Sequence, residues 1–89
     1  MAQRIVTIKN KLGLHARAAN KLVDVTTQFS SKVTLEYQAK EIDGKSIMSV
    51  MLLAAAKGAE LTVTTSGQDE EQAMDAITGL IDNLFDEDE

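Results

Sequence analysis

The chain has 89 residues, 44% of them hydrophobic, and carries nine Lys and Arg against fourteen Asp and Glu for a net charge of −5. That length supports one domain with a modest core, and without cysteine and with a single histidine there is no disulfide framework, no thiolate site and no imidazole-rich metal centre. No apolar run approaches the roughly 20 residues of a membrane span and no signal peptide is visible, so a cytoplasmic protein with no membrane insertion, metal or cofactor is expected.

In chain order, residues 3 to 9 alternate as a strand, with Val6 and Ile8 facing inward. A polar turn, Lys9-Asn10-Lys11, leads to Gly13-Leu14-His15-Ala16-Arg17, which opens a run of helix formers. Ala16, Ala19, Leu22, Val23 and Thr26 recur at helical spacing and predict a helix from Ala16 to about Gln28, capped near His15. Residues 32 to 37 alternate strictly, with Val33, Leu35 and Tyr37 on one side, and Lys40-Glu41-Ile42 returns as a short edge strand. Asp43-Gly44 makes a turn, and Ser46 is placed to cap a second helix from Ile47 to about Leu53, with Gly58 as its stop. This helix is apolar nearly all round, so some of Ile47, Met48, Val50, Met51, Leu52 and Leu53 must face solvent. The two methionines among them are soft, adaptable side chains suited to a docking surface.

Residues 61 to 65 form a fourth strand. Asp69 then begins the last helix, with Gln72 as its capping-box partner and Glu70 and Glu71 in the first turn. Its apolar positions are Ala73, Ile77, Leu80 and Leu84, with Met74, Ile81 and Phe85 beside them. Gly79 weakens this helix by about 1 kcal/mol relative to alanine. The acidic ending, residues 86 to 89, sits where the helix dipole disfavours it and should fray. The order strand, helix, strand, strand, helix, strand, helix predicts a single α+β domain over residues 1 to 89. Its form is an open-faced sandwich, a four-stranded antiparallel sheet with three helices on one face.

The first turn of a helix points unpaired N–H groups outward and carries a partial positive charge. His15 beside those amides and the Arg17 guanidinium can bind an anion, or can itself carry a phosphoryl group whose charge they stabilise. The bland alternative is a surface histidine at a helix cap. Gly44-Lys45-Ser46 looks like the tail of a phosphate-binding loop, but Ala39 stands where that motif needs glycine, so no nucleotide site is expected. Ser46 reads as a helix cap or as a phosphorylation target, since phosphate is electrostatically welcome at a helix start. Charge is divided unevenly: residues 1 to 57 hold all nine bases and four acids, whereas residues 58 to 89 hold ten acids and no base. Such a molecule can steer an acidic partner toward its histidine-bearing half, while its net acidity and three aromatic residues make nucleic acid a poor partner.

With the strand, the Gly-Leu-His-Ala-Arg helix start, the Gly-Lys-Ser-Ile-Met-Ser-Val-Met run and the final helix in this order, the whole chain resembles the HPr family of phosphocarriers. The resemblance implies a relay in a phosphoenolpyruvate-dependent phosphotransferase system. An Enzyme I-type donor phosphorylates His15, which passes the group to an EIIA-type acceptor, and Arg17 stabilises the anion. Ser46 matches the serine that an HPr-type serine kinase/phosphatase modifies in some branches. The docking face expected from helix one and helix two is Ala16, Arg17, Asn20 and Lys21 beside Ile47, Met48 and Met51. A monomer is expected. The acidic ending leans slightly to the nitrogen-related branch, NPr, whereas Gly44-Lys45-Ser46-Ile47-Met48 is similar to the sugar-type serine site. The family usually has proline where this chain has Ala18, which touches the rigidity of the site but removes no reacting group. The competing readings are a non-catalytic regulatory or interaction domain on the same scaffold, or a module working through Met48 and Met51 alone.

Overall fold

The computed structural model describes residues 1 to 86, and the fraying expected of the acidic ending falls largely on residues 87 to 89, outside the described residues. The strands are β1 (Ala2–Thr7), β2 (Lys32–Tyr37), β3 (Lys40–Asp43) and β4 (Glu60–Ser66), and the helices are α1 (Ala16–Thr26), α2 (Ile47–Leu52) and α3 (Glu70–Asp82). They interleave as β1-α1-β2-β3-α2-β4-α3, and a 3-10 turn, Leu84–Asp86, follows. The sheet order is β1-β4-β2-β3, with every neighbouring pair antiparallel. This is the predicted open-faced sandwich.

Alternation fixes which face of the sheet meets the helices. Leu61 and Val63 on β4 and Val33 and Leu35 on β2 are fully buried, while Lys32, Glu36, Glu60 and Ser66 at the intervening positions are exposed. Tyr37, expected on the same side as Val33 and Leu35, lies half-buried against the core. Val6 faces inward from β1, and Ile8 does so just beyond the strand, where its N–H donates to the Ala59 carbonyl at 2.8 Å.

Five local expectations are corrected. The buried stripe of α1 is Ala18, Ala19, Leu22 and Thr26, and Ala16 is exposed; in a run with alanines at 16, 18 and 19, no large side chain fixes the phase of the first turn. The helix ends at Thr26 rather than near Gln28, and the Thr26 hydroxyl donates to the Gly44 carbonyl at 2.8 Å, tying its end to the turn before α2. The stop of α2 is not Gly58: the helix closes at Leu52 with Leu53 as its cap, and Ala54 takes the left-handed conformation (φ 51°). At α3, Asp69 makes no side-chain cap and Gln72 is exposed, so the capping box does not form; the Glu70 carboxylate instead accepts from the Gly67 N–H at 3.1 Å. α3 also ends before Leu84, which is half-buried, while Phe85 turns into the core and is fully buried.

Candidate functional site

The site is built outward from a turn. Asn10 to Gly13 closes through the Gly13 N–H to the Asn10 carbonyl at 3.2 Å, and the Asn10 side-chain amide donates to the Gly13 carbonyl at 2.8 Å. Gly13 has φ +67°, and a Cβ there would stand 2.4 Å from the Ala55 carbonyl oxygen, so the position requires glycine twice over. Leu14 is buried and donates its N–H to that same Ala55 carbonyl at 2.9 Å, which anchors the residue immediately before the histidine.

His15 is the N-cap of α1. Its backbone is extended (φ −76°, ψ 178°) and its carbonyl receives the Ala19 N–H at 2.8 Å as the first helical hydrogen bond. The ring Nδ1 accepts from the Arg17 N–H at 3.2 Å. A ring nitrogen that accepts carries no proton, so in the neutral ring the proton sits on Nε2 and the Nδ1 lone pair points at the helix N-terminus. The imidazole is partly exposed, Arg17 is exposed beside it, and the first turn of α1 holds no acidic residue. The Arg17 N–H and the positive end of the helix dipole therefore act on Nδ1, and no carboxylate in that first turn competes for them.

The other predicted site residues gather around this point to different degrees. Ala16 and Asn20 are exposed on α1. Lys21 is half-buried, and its ammonium donates to the Phe85 carbonyl at 2.7 Å, so it ties the turn after α3 to α1. α2 packs against α1; on it Ile47 is half-buried, whereas Met48 is 66% and Met51 40% exposed. Leu52, at 69%, extends that apolar surface, and Leu12, at 67%, is exposed on the turn before His15. Neither was singled out from the sequence as a site residue, although a leucine at the tip of a polar turn was a readable signal. Ser46 caps α2, its hydroxyl accepting from the Ser49 N–H at 3.3 Å.

Comparison with known proteins agrees with this geometry. Residues 2–83 match the family model described as the PTS HPr component phosphorylation site. The phosphocarrier protein HPr of Cupriavidus necator is 51% identical over 89 residues, covering all of both chains, and the phosphocarrier protein NPr of Shewanella violacea is 41% identical over 85 residues, covering 96% of this chain and 93% of that one. Among solved structures, HPr-C-His from Thermoanaerobacter tengcongensis superposes with a TM-score of 0.96 at 38% identity over the full length of both chains. A structure of an HPr dimer from the same organism gives 0.79 at 39% identity, covering 98% of this chain and all of that one.

Proposed function

The chain belongs to the HPr family of phosphocarriers, and from that premise we propose that His15 accepts a phosphoryl group from an Enzyme I-type donor and passes it to an EIIA-type acceptor. The observation that carries this is the Nδ1 lone pair held toward the α1 N-terminus by the Arg17 N–H. In transfer, Nδ1 forms a bond to phosphorus as the donor's bond to phosphorus breaks, and that electron pair leaves with the donor. Nε2 keeps its proton through the step. The Arg17 N–H, released from Nδ1, is then placed to donate to a phosphoryl oxygen, with the guanidinium adding charge-assisted bonds. Partial exposure lets the same group leave again, as a relay requires.

The apolar surface of Met48 and Met51, with Ile47, Ala16, Asn20 and Lys21 around it, is the proposed docking face, and Ser46 at its margin the proposed regulatory position. A phosphate on Ser46 adds roughly −1.5 to −2 charges at a helix start and acts by repelling the donor rather than by unfolding α2. One assay tests these roles: acid-labile label from phosphoenolpyruvate through Enzyme I. His15→Ala takes no label, and Arg17→Ala slows transfer by about 100-fold or more, on the scale of removing an oxyanion donor. Ser46→Asp and Met48→Asp weaken transfer without loss of fold. Stoichiometric label on the His15→Ala protein sinks the proposal, and unchanged kinetics for Met48→Asp removes the docking face.

The lean toward the nitrogen-related branch gains no support from relatives that are mostly called HPr. The acceptor decides the branch, and discharge of the phosphorylated protein by a nitrogen-type but not a sugar-type EIIA is the result that restores it. The same proposal takes residues 1 to 89 as one carrier domain acting as a monomer, and a solution mass of two chains removes that part of it.

A further inference from the structure

Two tight turns stand side by side next to His15, and each presents a lysine at its tip. The first, Asn10-Lys11-Leu12-Gly13, closes as described above; the second, Ala56-Lys57-Gly58-Ala59, closes through the Ala59 N–H to the Ala56 carbonyl at 3.0 Å. Backbone hydrogen bonds lock them together, from the Gly58 N–H to the Ile8 carbonyl at 2.7 Å and from the Leu14 N–H to the Ala55 carbonyl at 2.9 Å. A Cβ on Gly13 would lie 2.8 Å from Ala56 Cα, so the two backbones are in direct contact. Lys11, Leu12, Ala56 and Lys57 are all exposed.

The two segments that carry these turns and the helix starts beside them are one-sided in charge. Residues 8 to 23 and 44 to 59 together contain Lys9, Lys11, Arg17, Lys21, Lys45 and Lys57 and no Asp or Glu. Three of the six are used within the fold: Lys9 pairs with Asp82 at 3.3 Å, Lys21 holds the Phe85 carbonyl at 2.7 Å, and Lys45 holds the Phe29 carbonyl at 2.7 Å. Lys11, Arg17 and Lys57 have no side-chain hydrogen bond or ion pair among the described residues. The acids that bound these segments, Asp24, Asp43 and Glu60, are exposed, and Glu60 lies on the open face of the sheet. Arg17 is committed to the phosphoryl group, which leaves two cations unpaired among the described residues on a rigid backbone, with the exposed Leu12 beside Lys11.

Resting on the phosphocarrier proposal, we infer that the paired turns are a specificity surface for the phosphoryl donor. Lys11 and Lys57 meet carboxylates that flank the donor's reacting group, and Leu12 meets an apolar spot beside them. Fixed charges of this kind orient an encounter and select a partner of complementary sign more than they hold the finished complex. Because the turns are locked to one another, the backbone positions that carry the two lysines keep a fixed spacing, and the pair reads the partner's carboxylates together.

The test is the rate of His15 labelling by Enzyme I and phosphoenolpyruvate as a function of carrier concentration and salt. The double variant Lys11→Glu with Lys57→Glu raises KM for the carrier about tenfold or more and changes kcat by less than about twofold, and its KM falls with added salt where that of the unmodified protein rises. Lys11→Gln with Lys57→Gln lies between the two, which separates lost attraction from added repulsion. Lys32→Glu, at the opposite end of the sheet, leaves KM alone. Thermal midpoints confirm that the variants fold. A double glutamate variant with the KM and salt dependence of the unmodified protein overturns the specificity surface and leaves the carrier proposal standing. An unmodified protein that takes no label on His15 overturns the carrier proposal, and this inference with it.

Discussion

His15 and Asp69 show how much a single residue discloses before the fold is known. The histidine was legible because the features that mark it are local: glycine, cap and helix lie within a few residues and the ring Nδ1 accepts from an amide two positions on, although the Ala55 carbonyl that anchors Leu14 comes from far along the chain. Asp69 was not. Its spacing to Gln72 fits a capping box, yet its carboxylate accepts from the Ser30 and Ser31 N–H groups at 2.9 Å each and from the Ser31 hydroxyl, donors 39 and 38 residues away. Nothing in the local pattern announces them. The Ser31 hydroxyl first, then those amides, lowers the Asp69 carboxyl from 3.8 to about 2, and the N-terminal ammonium of Met1 lowers Glu70 as well. A carboxylate whose folded value lies below its unfolded one contributes stability that is full above the unfolded value and is lost as pH falls through the folded one. The urea midpoint should therefore drop between about pH 4 and pH 2, and Asp69→Asn should flatten that drop while lowering stability at pH 7. An Asn variant with the same acid profile would show that other carboxylates set it.

At the scale of elements, the strands read well because a period of two leaves little room for error: Val33, Leu35, Leu61 and Val63 all face the core as expected. The helices read less well at their ends and in phase. α1 gave no bulky residue before Leu22 to fix its first turn, and α2 stops at an alanine in the left-handed region, a conformation its side chain does not advertise. Gly79 is the helical position where local propensity acts with least interference. It is exposed, its φ is ordinary, and a Cβ built on it meets nothing within 4 Å. Gly79→Ala should therefore stabilise the protein by about 1 kcal/mol, the full helix propensity difference, raising the urea midpoint with an unchanged slope. A midpoint that stays put would show that the glycine backbone has a role that packing does not reveal.

Across the whole molecule, the uneven charge seen in the sequence becomes an arrangement in space. Asp75 and Asp82 on α3 pair at 3.3 Å with Arg4 and Lys9, and Glu70 pairs with the Met1 ammonium at 2.7 Å, so acids of the C-terminal half fasten the N-terminal strand and its exit. These pairs are largely exposed and add little stability each. The chain then closes on itself at Phe85. Leu84 and Phe85 both adopt left-handed backbone conformations (φ 58° and 54°), which neither side chain favours, and the benzyl group is fully buried in the core below α1. The Lys21 ammonium holds the Phe85 carbonyl at 2.7 Å on the helix that begins at His15. Packing from residues far apart in sequence sustains this turn, which is why helical periodicity placed Leu84 on the buried stripe and Phe85 merely beside it. Phe85→Ala leaves a cavity under α1 and should cost about 3 to 5 kcal/mol, less to the extent that the C-terminus collapses into the space. Urea unfolding measures this directly, and a loss below about 1 kcal/mol, the scale of an ordinary surface change, would mean that the last turn contributes almost nothing to the core.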